Sequence, residues 1–479
     1  MRVTFIIPPS GFLLDERVFP TLGVLKVAAV LEQSGVDVEV LDLSGAQDMG
    51  AAVDAHLKGN RSDVYGITAT MPQMPQAAAI AERITSTYPD VRMILGGPHV
   101  TLMQASARIE QKRGAPSRAT EAINALRERF DVLVCGDGEL AIEQALAENA
   151  PDLIDGDDPK SVLFLKPSYL ESAPFPARHL IDVASYHYTV DGVRAQSLIC
   201  QLGCPFECKF CGGRSSPFLR RARLRSSAQV VAEMRHLYDT YGTTGFMFFD
   251  DELNVNPKFM ELLDQIVACQ ESLGVEFRLR GFLKAELLTE PMAKAMYRAG
   301  FRQALVGFES GHPRILQNIL KKATRDDNTR AVEMLQGAGV AVKAAMSIGH
   351  PGESPETIEA TREWLLEVQP DEFDVTVITV YPGTPYFDEA REEQPGVWTY
   401  RDAKNGDTLH AYNVDQFADA NFYKGVPGSY RSFVYTDTLT PEDLCAMRDA
   451  MEAEVRTRLK IPYPTSAAAV NFDHSMGMH

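Results

Sequence analysis

Four cysteines lie within twelve positions of this chain, at Cys200, Cys204, Cys208 and Cys211. The chain has 479 residues but only seven cysteines, too few for a disulfide scaffold. In a reducing compartment, such clustering indicates a metal centre. The thiolates of Cys204, Cys208 and Cys211 could hold three irons of a cubane cluster and leave the fourth iron open to a small molecule.

A structural zinc ion is the main alternative, with Cys200 as its fourth ligand. Zinc sites of this kind usually join two separated pairs of ligands, whereas these cysteines follow one another at spacings of four, four and three. Inert buried thiols are a further alternative. We interpret Cys200 as a strand residue rather than a ligand.

The elements that must position the cysteines repeat along the chain. From Ala195 onward, apolar segments alternate with helical patterns. We predict strands at 196–201, 245–249, 276–280, 303–308, 340–348 and 374–380. Six βα units are too few to close an eight-stranded barrel. The sequence therefore predicts an α/β fold over residues 195–390, a partial TIM-like (βα)6 barrel with its chemistry at the C-terminal strand ends.

Residues 1–150 show the same alternation with shorter units. Predicted strands lie at 3–7, 36–41, 64–68, 93–95 and 131–134. They indicate a parallel, flavodoxin-like (Rossmann-type) domain with its ligand crevice at the carboxyl ends of the strands. We interpret 104–129 as an insertion with one helix and 151–194, rich in Asp and Pro, as a linker.

The remaining residues, 391–479, are rich in aromatic side chains and then become helical from 441 to 460. We expect a mixed C-terminal extension that faces the substrate. A GxGxxA match from Gly136 to Ala141 is weak evidence for a dinucleotide, because that fingerprint belongs after the first strand of its domain and here it follows the last.

The charge of the chain limits its partners. The sequence has 47 Lys and Arg against 65 Asp and Glu, a net charge of −18. Counterion release from a polyanion cannot drive binding to such a protein, so nucleic acid is not expected as a partner. No stretch approaches the roughly 18 apolar residues of a membrane span, and the chain begins with a strand-like segment rather than a signal peptide. We expect a cytoplasmic protein with no membrane partner.

The CxxxCxxC loop after the first barrel strand, with Phe210 before its last cysteine, resembles the radical S-adenosylmethionine (SAM) superfamily. The resemblance covers about residues 195–390 and implies a [4Fe–4S] cluster on Cys204, Cys208 and Cys211. It also implies SAM contacts at strand ends. These are Phe210, Asp250, Asp251, Glu252, Arg280, Glu309, Gly349 and Pro351.

The resemblance gives these residues roles. The acidic run at 250–252 would accept hydrogen bonds from the methionine ammonium, Arg280 would pair with the methionine carboxylate, and Glu309 would bind the ribose. Gly349 and Pro351 would line the adenine. For residues 250–252 a helix N-terminal cap remains an alternative, and for Arg280 a structural ion pair.

The first domain is similar to the cobalamin-binding domain of the cobalamin-dependent radical SAM branch. Glycine-rich strand ends would leave room for the flat macrocycle, and Thr68 and Thr70 would offer hydroxyls to its nucleotide tail. The implied cobalamin-binding residues are Pro9, Ser10, Leu22, Thr68, Thr70, Gly96, Gly97, Pro98, His99, Gly136, Asp137, Gly138 and Glu139. The alternative is a domain that has lost its cobalamin.

The Asp-x-His-x-x-Gly loop of other cobalamin proteins is absent, and the matching region is 12–17. We therefore expect no histidine ligand on the lower cobalt face. We interpret His99 as a loop or corrin-contacting residue rather than a cobalt ligand.

The resemblance implies an enzyme with three cofactors, namely the cluster, SAM and cobalamin. The leading hypothesis is a methyltransferase acting on an unactivated carbon or phosphinate-like centre of a small biosynthetic intermediate. One SAM would methylate the cobalamin, a second would give the radical, and an external donor such as flavodoxin or ferredoxin would supply electrons. Alternatives are a radical cyclase, oxidase or ring-rearranging enzyme, polar transfer of a SAM-derived group, and a cobalamin or iron–sulfur sensor. The sequence identifies no catalytic residue.

Overall fold

The computed structural model describes residues 1–10, 15–115, 117–419 and 431–462. The first part of the chain alternates strands with helices. Its elements are β1 (Arg2–Ile7), α1 (Leu22–Gln33), β2 (Asp37–Asp42), α2 (Met49–Gly59), β3 (Val64–Thr68), α3 (Met74–Thr87), β4 (Arg92–Gly96), α4 (Pro98–Arg113), α5 (Arg118–Arg127), β5 (Val132–Gly136), α6 (Gly138–Leu146) and β6 (Leu153–Gly156).

These six strands form one parallel sheet in the order β2-β1-β3-β4-β5-β6. The flavodoxin-like order predicted for the first five strands is confirmed. Both faces are buried, since Val3 and Phe5 pack into one apolar core while Ile6 and Ile67 pack into the other. A parallel sheet covered by helices on both faces explains why its strands are short apolar runs in the sequence.

Two segments of this part differ from the prediction. The stretch 151–194, interpreted as a linker, contains β6, which extends the first sheet by a sixth strand. The segment 104–129 was expected to carry one helix, but α4 runs into it and a second helix, α5, follows. Gly114, in the left-handed region with φ of 66°, ends α4.

The second part of the chain begins with a short helix and then builds a larger sheet. Its elements are α7 (Pro167–Ser172), β7 (Thr189–Val190), β8 (Val193–Leu198), β9 (Gln201–Leu202), α8 (Pro217–Arg220), β10 (Arg223–Leu224), α9 (Ser227–Tyr241), β11 (Gly245–Phe248), α10 (Phe259–Leu273), β12 (Arg278–Leu283), α11 (Glu290–Ala299), β13 (Phe301–Glu309), α12 (Pro313–Asn318), α13 (Arg325–Gly337), β14 (Ala341–Ile348), α14 (Pro355–Val368) and β15 (Glu372–Val377).

The large sheet has the order β15-β14-β13-β12-β11-β8-β7. Within this sheet the six strands other than β7 pair in parallel, and β7 pairs antiparallel to β8 at the edge. Strands β9 and β10 form a separate antiparallel pair. The predicted partial barrel of six parallel strands is confirmed. Leu22 of α1 packs with Met247 and Phe282, so the first part of the chain covers the inner face of this half-barrel.

The end of the described chain adds a small sheet and a long helix. The elements are α15 (Pro385–Asp388), β16 (Arg391–Gln394), β17 (Val397–Arg401), β18 (Thr408–Tyr412), β19 (Val434–Tyr435) and α16 (Pro441–Leu459). The four strands pair antiparallel in chain order. Helix α16, predicted at 441–460, packs against β15, where Arg456 donates to the Phe373 carbonyl at 2.6 Å. Among the described residues, no helix has the length and apolarity that a membrane span requires.

Candidate functional site

The carboxyl ends of β11 to β15 and the loop after β9 surround a cavity of about 220 Å³, which we call the thiol cavity. Cys204, Cys208 and Cys211 all line it. From the first part of the chain, Pro98 and Leu102 of α4 close one side. The strand ends of a parallel half-barrel thus meet at the cysteines, as predicted for chemistry of the barrel type.

Backbone hydrogen bonds hold the cysteine loop to its surroundings. The Cys204 N–H donates to the Leu219 carbonyl at 2.8 Å, and the Lys209 N–H donates to the Ile319 carbonyl at 3.0 Å. The Cys211 N–H donates to the Cys208 carbonyl at 3.2 Å, which forms a turn between these two cysteines. The surrounding backbone therefore holds the loop at Cys204 and at Lys209.

The arrangement of the thiols favours a cluster over a zinc ion. Cys200 is buried outside the thiol cavity, and its N–H donates to Asp250 at 3.0 Å. Among the residues that the structure describes, no three His, Cys, Asp or Glu side chains converge on a single metal-ion position. Cys200 is therefore not placed to be the fourth ligand of a zinc ion with these three cysteines.

Burial raises the pKa of all three thiols, in the case of Cys211 to about 12. Nearby carboxylates add to the effect, Glu252 and then Asp251 for Cys204 and Asp251 for Cys211, because a thiolate beside another negative charge is disfavoured. The loop without metal therefore holds neutral thiols, and binding of iron must displace their protons.

The wall of the thiol cavity carries charges of both signs. Its acidic residues are Asp251, Glu252 and Glu309, and its basic residues are Arg214, Arg220, Lys284 and Lys321. Burial and the neighbouring Glu252 raise the pKa of Asp251 to about 7. Such a wall suits a zwitterionic ligand, because each of its charged groups can find an opposite partner.

Glu309 is the best connected of these acids. It ends β13 with φ of 65°, at a register shift between β13 and β14. Lys321 Nζ lies 3.0 Å from Oε1, and the Ser347 hydroxyl donates to Oε2 at 2.8 Å. His350 Nε2 lies 2.8 Å from the same hydroxyl, and burial lowers the pKa of His350 to about 4. The neutral imidazole therefore donates to Ser347, which donates to Glu309.

The acidic run at 250–252 divides into two roles. Asp251 and Glu252 line the thiol cavity, whereas Asp250 accepts from the N–H groups of Cys200 and Gln201 at 2.6–3.0 Å and lies outside the cavity wall. Asp250 thus ties the end of β11 to the end of β8. Glu252 precedes a short 3₁₀ turn but makes no capping bond to it, so the helix-cap alternative does not explain Glu252.

The other predicted SAM contacts are distributed unevenly. Phe210 lines the thiol cavity, with its ring 5.3 Å from that of His350. Arg280, Gly349 and Pro351 lie outside the cavity wall. The Arg280 guanidinium lies 5.2 Å from the centre of the Tyr188 ring, and Gly349 lies behind the strand ends against the side chains of Val377, Val434 and Leu444.

A second cavity, which we call the interface cavity, lies at the carboxyl ends of β3, β4 and β5. The half-barrel closes it with Ile199, Leu202 and Phe218. Eight predicted cobalamin-binding residues line it, and they are Thr68, Gly96, Gly97, Pro98, Gly136, Asp137, Gly138 and Glu139. Pro98 also lines the thiol cavity, so the two cavities are neighbours.

Five predicted cobalamin-binding residues do not line the interface cavity, namely Pro9, Ser10, Leu22, Thr70 and His99. Leu22 belongs to the core under the half-barrel, and Thr70 bonds Gln73 to begin a helical turn. His99 Nε2 lies 2.5 Å from Gln416 Oε1, and burial lowers its pKa to about 4. Of the region that replaces the Asp-x-His-x-x-Gly loop, residues 12–14 lie outside the described residues.

Two of the glycines at the strand ends are required by adjacent backbone, whether or not a macrocycle binds there. A Cβ on Gly136 would lie 2.3 Å from the Asp157 nitrogen of β6's continuation, and φ there is 76°. A Cβ on Gly97 would lie 2.8 Å from the Ala69 nitrogen. The expectation that glycine only makes room for a ligand is thus incomplete, because adjacent backbone already requires it at these positions.

The two parts of the chain that carry the cavities match two known domain families. Residues 16–127 match the family model of the B12 binding domain, and residues 198–365 match that of the Radical SAM superfamily. The chain belongs to the cobalamin-dependent radical SAM enzymes. Its cofactors are a [4Fe–4S] cluster, SAM and cobalamin.

Relatives of this cobalamin-dependent radical SAM enzyme have several activities. An uncharacterized methyltransferase of Pyrococcus horikoshii, PH0819, is 28% identical over 81% of this chain and 83% of its own. Anaerobic magnesium-protoporphyrin IX monomethyl ester cyclase of Cereibacter sphaeroides is 25% identical over 82% of this chain and 64% of its own. In fold, the chain is similar to the methyltransferase TsrM of Kitasatospora setae, with a TM-score of 0.67, 18% identity and coverage of 97% of this chain and 89% of that chain.

The residues present fit these cofactors. The three thiols share one cavity, and the interface cavity combines an apolar wall with Thr68, Lys26 and the buried Asp137. Sequence reasoning missed Lys26, Lys284, Lys321 and Ser347 in the two cavities. Lys284 follows strand β12 directly, so its position at a strand end was a usable signal, whereas Lys321 comes from a loop.

Proposed function

We propose that this enzyme is a methyltransferase that acts on an unactivated carbon or phosphinate-like centre of a small molecule. The observation that carries the proposal is the shared wall at Pro98, which makes the SAM and cobalamin sites neighbours. The similarity to a methyltransferase over 81% of the chain supports it. When bound, the cluster with SAM supplies radical generation and the cobalamin supplies the methyl group.

The residues of the thiol cavity would bind and orient SAM above Cys204, Cys208 and Cys211. Asp251 and Glu252 would accept from its ammonium. Glu309, held by Lys321 and Ser347, would accept from its ribose hydroxyls. The carboxylate of SAM would then pair with a basic residue of the cavity wall. Lys284 and Lys321 line this wall and Arg280 does not, so the lysines are the better candidates.

The residues of the interface cavity would bind cobalamin. Thr68 and Asp137 would contact its polar edge, and Ile199, Leu202 and Phe218 would exclude water from its face. We propose no axial histidine from His99, because that ring bonds Gln416 and lies outside the cavity wall. Nitrogen superhyperfine splitting from His99 or any other axial imidazole of the protein, in the electron paramagnetic resonance spectrum of the cob(II)alamin form, would contradict this part.

We also propose an external electron donor of the flavodoxin or ferredoxin type and a cytoplasmic location. The thiols of Cys204, Cys208 and Cys211 form no disulfide in the described structure, and a reducing compartment preserves them.

A radical cyclase is the second candidate, since a relative described as a cyclase aligns with 82% of the chain. Product analysis of the anaerobic, reconstituted enzyme with candidate substrates separates the activities. S-adenosylhomocysteine together with 5′-deoxyadenosine supports radical methylation, and 5′-deoxyadenosine alone supports the cyclase or an oxidase. S-adenosylhomocysteine alone indicates polar transfer, and neither product indicates a sensor.

A further inference from the structure

Asp137 is a buried carboxylate that follows β5 at the wall of the interface cavity. Its Oδ2 accepts from the Leu165 N–H at 2.8 Å and from the Arg223 guanidinium. Its Oδ1 is also buried and has no hydrogen-bond partner within the described part of the chain. One oxygen of this carboxylate is thus fully used by the protein, and the other is an acceptor that lacks a donor.

Arg223, the partner of Asp137, is fixed from several sides. It lies in β10 and is 3% exposed. Its guanidinium donates to the carbonyls of Leu165 at 3.2 Å and Phe218 at 3.0 Å, and lies 4.3 Å from the centre of the Phe164 ring. Displacing this guanidinium would therefore break bonds on both sides of the interface between the two domains.

The segment that contains Arg223 leads directly to the cluster cysteines. We call residues 215–224 the return segment, because they run back from the cysteine loop to β10. Arg223 pairs with Leu202 of β9, two residues before Cys204, and the Leu219 carbonyl accepts from the Cys204 N–H at 2.8 Å. Phe218 lines the interface cavity and Leu219 lines the thiol cavity. The return segment is therefore a thin wall between the two cofactor sites.

We propose that Asp137 couples the two sites: Oδ1 accepts a hydrogen bond from an amide N–H at the edge of cobalamin, while Oδ2 holds the return segment, and so Cys204, through Arg223. This inference rests on the proposed cobalamin contacts. A donor on Oδ1 satisfies a buried acceptor and favours the ionised carboxylate, which holds the Arg223 guanidinium more strongly than the neutral acid does. An occupied interface cavity therefore stabilises the cluster loop. By linkage, an assembled cluster must strengthen cobalamin binding by the same factor.

The test measures both directions of this linkage. One measurement is the dissociation constant of hydroxocobalamin, by absorbance titration of anaerobic protein with and without the cluster. The other is the concentration of an iron chelator that removes half of the cluster iron at equilibrium, with and without saturating cobalamin. In the unaltered protein we expect each cofactor to strengthen retention of the other by about fivefold or more.

Asp137→Asn should weaken cobalamin binding by about tenfold or more, because an amide cannot face an N–H donor and Arg223 at once without presenting its own N–H to one of them. The coupling factor should fall towards one. Arg223→Gln, which lies outside the wall of the interface cavity, should also abolish the coupling while cobalamin still binds.

Asp157→Asn is the matched control. Asp157 accepts from the Ser216 hydroxyl and the Phe218 N–H, both at 2.7 Å, so it holds the same return segment. It is buried like Asp137 but does not line the interface cavity. We expect its cobalamin affinity to match that of the unaltered protein.

Three results would overturn the inference. They are unchanged cobalamin affinity in Asp137→Asn, equal weakening in Asp157→Asn, and an undiminished coupling factor in Arg223→Gln. The first means that Oδ1 binds only water, and the second means that any loosening of the return segment suffices. If the unaltered protein binds no cobalamin at all, the proposed function of the interface cavity fails as well, which distinguishes that failure from the other three.

Discussion

The three cysteines of the thiol cavity and the buried Cys200 differ in position, and this difference predicts their roles. We expect Cys204→Ala, Cys208→Ala and Cys211→Ala each to lose most of the iron and sulfide after anaerobic reconstitution, because we propose that each thiol holds one iron. Cys200→Ala should keep about four irons per chain, since that thiol lies outside the cavity. Iron and sulfide analysis checks this, and cluster loss in Cys200→Ala alone would refute the assignment.

The raised thiol pKa values make the metal-free protein sensitive to alkaline pH. A thiol has a pKa of about 8.5 in an unfolded chain. In the folded chain the pKa values of the three thiols are higher. Their contribution to stability is therefore full below about pH 8.5 and is lost as the pH rises through the folded pKa values. We expect the melting temperature of the metal-free protein to fall from about pH 8 to about pH 10 relative to that of the cluster-loaded protein. A constant difference would contradict this.

Glu309 and Asp250 are matched buried carboxylates at strand ends with different expected roles. Glu309→Gln should weaken SAM binding by about 1.5–3 kcal/mol, because a charged acceptor is lost, while the cluster still assembles. Asp250→Asn should lower the melting temperature but leave SAM affinity unchanged, because its oxygens are bonded to backbone N–H groups. Calorimetric titration with SAM and melting curves of both variants decide between these expectations. Unchanged SAM affinity in Glu309→Gln would remove it from the site.

At the scale of elements, the close approach of β5 to β6 has a measurable consequence. Gly136→Ala would place a Cβ 2.3 Å from the Asp157 nitrogen at a left-handed φ. We expect a lower melting temperature and weaker cobalamin binding, because Asp137 follows directly. Gly59→Ala, at a position with no atom within 4 Å of the added Cβ, is the control and should melt like the unaltered protein. Equal melting temperatures would show that β6 moves aside without cost.

The elements also show what the sequence can predict. Strand positions and the order of the first sheet follow from local apolar runs, and these predictions are confirmed. The cysteine spacing predicts the cluster loop, and that assignment stays a prediction. Strand β6 was missed because it has only four residues, two of them Asp and Gly, and gains its stability from pairing with β5. Only one helix was predicted in 104–129, where α4 and α5 both lie, because the charged residues of this segment hide the apolar faces of the helices.

The side-chain partners in the site could not be read from local patterns. His99 meets Gln416 across 317 positions, and Lys321 meets Glu309 from a loop where Leu320 and Lys322 both adopt positive φ. Arg280 lies on a predicted strand, but its guanidinium lies over the Tyr188 ring and it does not line the thiol cavity. Such contacts depend on how elements pack, which single-sequence periodicity does not encode.

At the scale of the whole molecule, one hydroxyl joins both domains and the C-terminal part. Ser106 of α4 donates to Asp388 at 2.6 Å and accepts from the Gly383 N–H at 2.5 Å, while Asp388 also accepts from Ser215 at 2.8 Å. Ser106→Ala should destabilise the protein by about 1–3 kcal/mol, because buried groups lose their partner. Ser34→Ala, which removes only exposed hydrogen bonds, should change stability by less than about 0.5 kcal/mol. Differential scanning calorimetry of both variants measures the contrast, and equal shifts would contradict it.

The position of β6 determines where this protein can be recombined with its relatives. A chimera joined near residue 150 would take β5 and Asp137 from one parent and β6 and Asp157 from the other. The two carboxylates that hold the return segment, Asp137 and Asp157, would then come from different parents. Gly136 would also pack against the backbone of the other parent. A crossover beyond Asp157 keeps both carboxylates and the paired strands together. Gene fusions that exchange the cobalamin-binding domain should therefore survive selection with their breakpoints after β6 and not between β5 and β6.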